Sequence, residues 1–129
     1  MNFNEKDNFV EIQKVITRVS KLANNSDLSR EVLSTRDYVN KKLFEKDCEL
    51  KVFEFTGELE KLFSEGSCNY LEVLNLFEIN INTIKDLFDN EKGVLIMSED
   101  LKIRKNRLNL LGLIRNYSLK IADFTLLNS

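Results

Sequence analysis

The chain has 129 residues, 43% of them hydrophobic and 31% charged, with no proline and no histidine: the make-up of a folded domain, not of a disordered tail. Without histidine it lacks the commonest general base and metal ligand together, and its two cysteines, Cys48 and Cys68, have no CxxC spacing, so they read as packing residues of a reduced, cytoplasmic protein. The net charge of −2 hides an asymmetry: residues 101–129 hold six basic side chains and one acidic, for which packing among acidic neighbours in the same chain is the expected reason.

From the N-terminus, Asn4 or Asp7 can cap a first helix running to Ala23. Its stripe is Ile12, Val15, Ile16, Val19, Leu22 and Ala23, with Phe9 one turn earlier. Asn24 to Asp27 interrupt it. Ser26 can then cap a second helix, striped by Leu28, Val32, Thr35, Val39 and Leu43, that either ends near Lys46 or continues past it. Val52, Phe53 and Phe55 suit a strand as well as a helix, so a helix with a kink or short break between Leu50 and Gly57 is expected. Leu59, Leu62 and Phe63 resume helical spacing. Gly66 sits where a left-handed C-terminal residue belongs and opens a loop to Asn69.

Asn69 and Glu72 make a capping-box-like start for a third amphipathic stretch, Leu71, Leu74, Phe77, Ile81, Ile84 and Phe88, ending between Asn90 and Gly93. Val94 to Met97 form a short apolar connector. Ser98 then caps a helix over 98–124 whose main stripe is Ile103, Arg107, Leu110, Ile114, Tyr117, Ile121 and Phe124, flanked by Leu111, Leu113 and Ala122. Leu101, Leu108 and Leu119 lie on nearly the opposite side, and Lys102, Lys105, Asn109, Asn116, Lys120 and Asp123 form a polar arc between the stripes. Two apolar stripes place this helix at the centre of a bundle, or turn its second stripe toward another chain. Gly112 weakens the rod by about 1 kcal/mol against alanine. Arg107, on the apolar seam, is expected to snorkel to water, the alternative being a buried, paired charge. The fold expected is all-α, a single domain over 1–129: a four- or five-helix antiparallel bundle with the long C-terminal helix at its centre.

Chemistry has little to stand on. No Cys–His or Ser–His arrangement exists, no Gly-rich phosphate loop and no Glu-x-x-His metal motif. Glu45 and Glu49 share a helix face, which reads as ordinary solvated surface. Neither an enzyme nor a cofactor nor a metal is expected. The leading expectation is a small non-enzymatic protein-binding protein, an adaptor, inhibitor or secretion-type chaperone. It would meet a protein partner, or a second copy of itself, through Leu101, Leu108 and Leu119, and would not meet a membrane.

A nucleic-acid binder is the alternative, and a structural subunit of a larger assembly a third. Aligned with Val73 and Phe77 in the core, Ile79 after a turn and Asn82-Thr83-Ile84 opening a recognition helix, residues 71–88 resemble the helix-turn-helix regulators. Leu74 and Glu78 depart from that pattern, where a small residue and a glycine belong, and the unbroken stripe favours one helix. The densest basic cluster, Lys102, Arg104, Lys105 and Arg107, supplies candidate anion or nucleic-acid contacts. On a helix these four point in four directions. Near its N-terminus each exposed cation costs about 0.3–1 kcal/mol, so something should compensate.

Overall fold

The computed structural model describes residues 3–66, 70–89 and 91–128, with side chains described over 10–66, 71–89 and 91–120. Four α-helices, α1 (Phe3–Ala23), α2 (Asp47–Ser64), α3 (Tyr70–Asp86) and α4 (Leu101–Asn128), make a small antiparallel bundle, with one 3-10 turn at Lys41–Leu43 and no strand among the described residues. Cys68, Asn69 and the side chains of Phe9, Ile121, Ala122, Asp123 and Phe124 lie outside that description.

Helix α4 is the axis. Every residue from Asn106 to Tyr117 is buried, and the helix packs against α1, α2 and α3. Its start differs from the expected one. Asp100 is the cap: its Oδ1 accepts from the backbone N–H of Lys102 at 2.9 Å and of Ile103 at 3.2 Å, while Ser98 Oγ accepts from the N–H of Asp100 at 3.2 Å. Aspartate serves better there than serine because its full charge meets the helix dipole.

Around this axis α1 buries Ile12, Val15, Val19 and Ala23. It begins at Phe3, upstream of both Asn4 and Asp7, so neither residue stands before the helix as a cap. Its polar side is tied to α3 by Lys85 Nζ and Glu11 Oε1, 2.6 Å apart, and to the turn just after α3 by Arg18 lying 4.4 Å over the ring of Phe88. Helix α3 runs through Glu78 without a turn, burying Val73, Phe77 and Ile84, so the helix-turn-helix geometry is absent. Helix α2 also runs from Leu50 past Gly57 without a strand or a break: Val52 and Phe55 fall three apart on its buried face, and Phe55 meets Phe77 edge-on at 5.0 Å. It ends as its sequence predicts, with Gly66 at a φ of 72°.

The largest departure lies between α1 and α2. The spacing of Leu28, Val32, Thr35, Val39 and Leu43 predicts a helix, yet residues 24–40 form turns and extended chain. Leu28, Thr35 and Val39 are still buried. Apolar steps of three and four are compatible with an irregular strap laid over a core, provided that something else satisfies its backbone.

Candidate nucleic-acid interface

That satisfaction comes from side chains on α4. Asn106 pairs with both backbone groups of Asn40, accepting from its N–H at 2.7 Å and donating to its carbonyl at 3.0 Å. Asn109 Nδ2 donates to the carbonyl of Tyr38 at 2.9 Å, and its Oδ1 accepts from Ser26 Oγ at 3.2 Å. Asn116 Nδ2 donates to the carbonyls of Ser29 and Val32 at 2.9 and 2.7 Å. Arg115, buried, donates to the carbonyls of Ala23 and Leu28 at 3.2 and 3.0 Å, and burial lowers its pKa, with Arg30 adding repulsion. The hydroxyl of Tyr117 donates to the carbonyl of Leu33 at 2.5 Å. From the other side α2 contributes Glu60, whose Oε1 accepts from the N–H of Thr35 at 2.8 Å, and Thr56, whose Oγ1 lies 3.0 Å from that of Thr35. The polar arc of α4 is therefore not a solvated face at Asn109 and Asn116; it is the seat of the strap.

The basic cluster on α4 divides. Arg107 does not snorkel. Its side chain is 5% exposed and holds Glu49, itself fully buried, through Nε at 3.5 Å, Glu45 through Nη2 at 2.5 Å, and the carbonyl of Leu95 through Nη1 at 2.8 Å. Glu49, expected at the surface, also accepts from the backbone N–H of Glu45 and Lys46 at 2.9 and 3.2 Å, closing the start of α2. Arg107 and Glu49 are structural. Lys102, Arg104 and Lys105 form no ion pair with any described residue, so the acidic neighbours expected to balance the basic helix serve Arg107 alone within this cluster.

Lys102 and Lys105 face the strap across an open groove of about 730 Å³. Its opposite wall is Arg36, Lys41 and Lys42, with Asp37 the one carboxylate in the lining. Tyr38, 44% exposed, lines it too, as does Phe53, over whose ring Lys41 Nζ sits at 5.6 Å. Five cations against one acid give the groove a net positive field. Arg104 looks elsewhere, into a hollow shared with Met97, Leu101 and Leu108. Of the second apolar stripe, Leu101 is 66% and Leu119 39% exposed, whereas Leu108, at 6%, belongs to the chain's own core. Arg36, Lys41 and Lys42 are not among the sequence-predicted contacts, because a helix over 28–46 would scatter them; the run Lys41-Lys42 beside Tyr38 is their trace in the sequence.

No triad or metal-ligand group accompanies the groove among the described residues. Cys48 is buried against Glu49, and burial raises its thiol pKa, the reverse of what a nucleophile needs. No helix of the described residues is long and apolar enough to cross a membrane.

No protein-family model matches the chain, and no solved structure does. It is similar to the glycine-tRNA ligase beta subunits of Gloeothece citriformis, 34% identical over 116 residues, and Acaryochloris marina, 35% over 117; each match covers 88% of this chain and 16% of the relative. The beta subunit of Thermodesulfovibrio yellowstonii is 32% identical over 129 residues, 95% of this chain and 17% of its own. The chain thus spans about one sixth of the length of the curated relatives it matches. This likeness overturns the expectation of a non-enzymatic adaptor, inhibitor or chaperone, and of a helix-turn-helix regulator: the relatives that match most of the chain are subunits of a ligase. The missing histidines exclude particular nucleophile and metal arrangements within these 129 residues and nothing wider.

Proposed function

We propose that the chain acts in the joining of glycine to tRNA, as a helical part of a ligase of the glycine-tRNA ligase beta type, and that the groove between the strap and the start of α4 holds RNA. The likeness across 88% of the chain carries the first statement. Lys102 and Lys105, which share the groove with Arg36, Lys41 and Lys42, support the second, since five clustered cations with a single carboxylate, Asp37, among them match a phosphate backbone. Arg104, on the neighbouring hollow, adds to the same field, and Arg107 does not. The exposed Leu101 and Leu119, with Met97, offer the apolar surface on which a companion subunit would sit.

An extract of the cells that make this chain, depleted of it, tests the reading. Attachment of glycine to tRNA should fall while other amino acids are attached as before. Adding back the chain should restore it, and a Lys42→Glu, Lys102→Glu, Lys105→Glu variant of unchanged helicity should not. Unaltered glycine attachment after depletion ends the proposal.

A further inference from the structure

Tyr38 is a large ring left 44% exposed on a backbone with little freedom to move. Its carbonyl is held by Asn109 at 2.9 Å, its N–H donates to Thr35 at 3.2 Å, and two residues on Asn40 is clamped twice by Asn106. Cations flank it from both walls: Lys41 and Lys42 on its own segment, Lys102 and Lys105 from α4. A solvent-facing aromatic ring on a hydrogen-bonded mount, in a groove lined by five cations and one carboxylate, matches what a polynucleotide presents when its bases are free: a π-face with phosphates on either side.

We propose that this groove takes an unpaired stretch of RNA, with one base stacked on Tyr38 and the adjoining phosphates on the lysines of the two walls. The inference rests on the reading of the groove as an RNA site and narrows it to single-stranded nucleotides. In a duplex each base already has both faces covered by its neighbours, so Tyr38 can stack only on a base that is unpaired or splayed out. An acidic protein segment would satisfy the lysines and leave the ring idle.

Fluorescence anisotropy with the full chain separates these cases, using as probes a labelled oligouridylate of about twelve nucleotides and an RNA duplex of about equal length. The oligouridylate should bind at least about ten-fold tighter than the duplex, and its affinity should fall steeply with salt. Tyr38→Ala should weaken oligouridylate binding by about ten-fold or more and leave duplex binding unchanged, while Tyr38→Phe keeps the wild-type affinity. Photocrosslinking of 5-iodouridine in the same oligomer, mapped by mass spectrometry, should land on Tyr38 in the unmodified chain, independently of any variant. Equal affinity for both probes, an unaffected Tyr38→Ala variant or a crosslink elsewhere would overturn the stacking proposal while leaving an RNA-binding surface in place. Displacement of the oligouridylate by polyglutamate, with Tyr38→Ala as sensitive to it as wild type, would also overturn it. Failure of both RNAs to bind at low salt would remove the groove as an RNA site altogether, whatever the depletion experiment gives.

Discussion

The side-chain amide of Asn106 and the backbone of Asn40 exchange two hydrogen bonds, 2.7 Å and 3.0 Å long, in the pattern that two β-strands use with each other. An asparagine on a helix thus stands in for a neighbouring strand, and the strap before α2 needs no partner segment at that point. Removing the amide ends both of these part-buried hydrogen bonds, each worth about 0.5–1.5 kcal/mol, and hands the N–H and carbonyl of the exposed Asn40 to water. Asn106→Ala should therefore cost about 1–3 kcal/mol. The backbone amide of Asn40 should exchange with deuterium much faster in the variant, at a rate read residue by residue by NMR, while amides of α1 and α3 keep their protection. An unchanged Asn40 amide would mean that the pairing does not hold the strap.

Arg107 makes an uneven trio with Glu49 and Glu45. Its own side chain is 5% exposed, that of Glu49 0% and that of Glu45 60%. Loss of the guanidinium strands a fully buried carboxylate, so Arg107→Met should destabilise by about 3–5 kcal/mol in urea unfolding. Loss of the Glu45 carboxylate removes only a solvent-screened contact, so Glu45→Ala should cost less than about 1 kcal/mol even though its ion pair is the shorter. The ranking follows from burial, not distance.

The helices are legible in the sequence where one periodic stripe meets one core. The end of α1 at Ala23, the single unbroken α3, the left-handed Gly66 and the central position of α4 all follow from apolar spacing and capping chemistry. Residues 24–40 are not legible in the same way. Their apolar spacing fits a helix, and what decides against one is a set of carbonyl acceptors filled by Asn106, Asn109, Arg115, Asn116 and Tyr117, dozens of residues away. The same distance hides the groove: Lys102 and Lys105 stand out in the sequence, but Arg36, Lys41 and Lys42 join them only once the strap is laid down. Arg107 is visible as an oddity of the seam, and its burial depends on Glu49 closing the start of α2 from another helix.

Two glycines inside helices should respond in opposite directions. At Gly57, on the exposed face of α2, an added Cβ meets nothing within 4 Å, so Gly57→Ala should stabilise by about 1 kcal/mol through helix propensity. At Gly112 the strap presses against α4: a Cβ would lie 2.9 Å from Leu28 Cδ2 and 3.4 Å from Leu28 Cβ. A leucine there must displace Leu28 from its buried seat, and Gly112→Leu should destabilise by about 1–3 kcal/mol or more. Thermal unfolding by circular dichroism reads both shifts. A stabilised Gly112→Leu would show that the strap does not pack on this face of α4.

Tyr117 links the strap to pH. Its ring is fully buried, 5.3 Å from that of Phe63, and its hydroxyl donates to the carbonyl of Leu33. Burial, with a smaller contribution from the charge of Glu60, raises the phenol above its ordinary value of 10.0. In the unfolded chain the phenol ionises near 10.0, whereas in the folded chain it holds its proton to higher pH. The contribution of Tyr117 to stability is thus complete below pH 10.0 and is lost as pH climbs from there toward the raised folded value. Tyr117→Phe removes the titrating group and leaves the Leu33 carbonyl without its donor, costing about 1–2 kcal/mol at neutral pH. Measured by urea unfolding from pH 8 to pH 11, the gap between wild type and Tyr117→Phe should stay constant up to about pH 9.5 and narrow above it. A gap that stays constant to pH 11 would mean that the phenol ionises equally in both states and that its burial carries no such linkage.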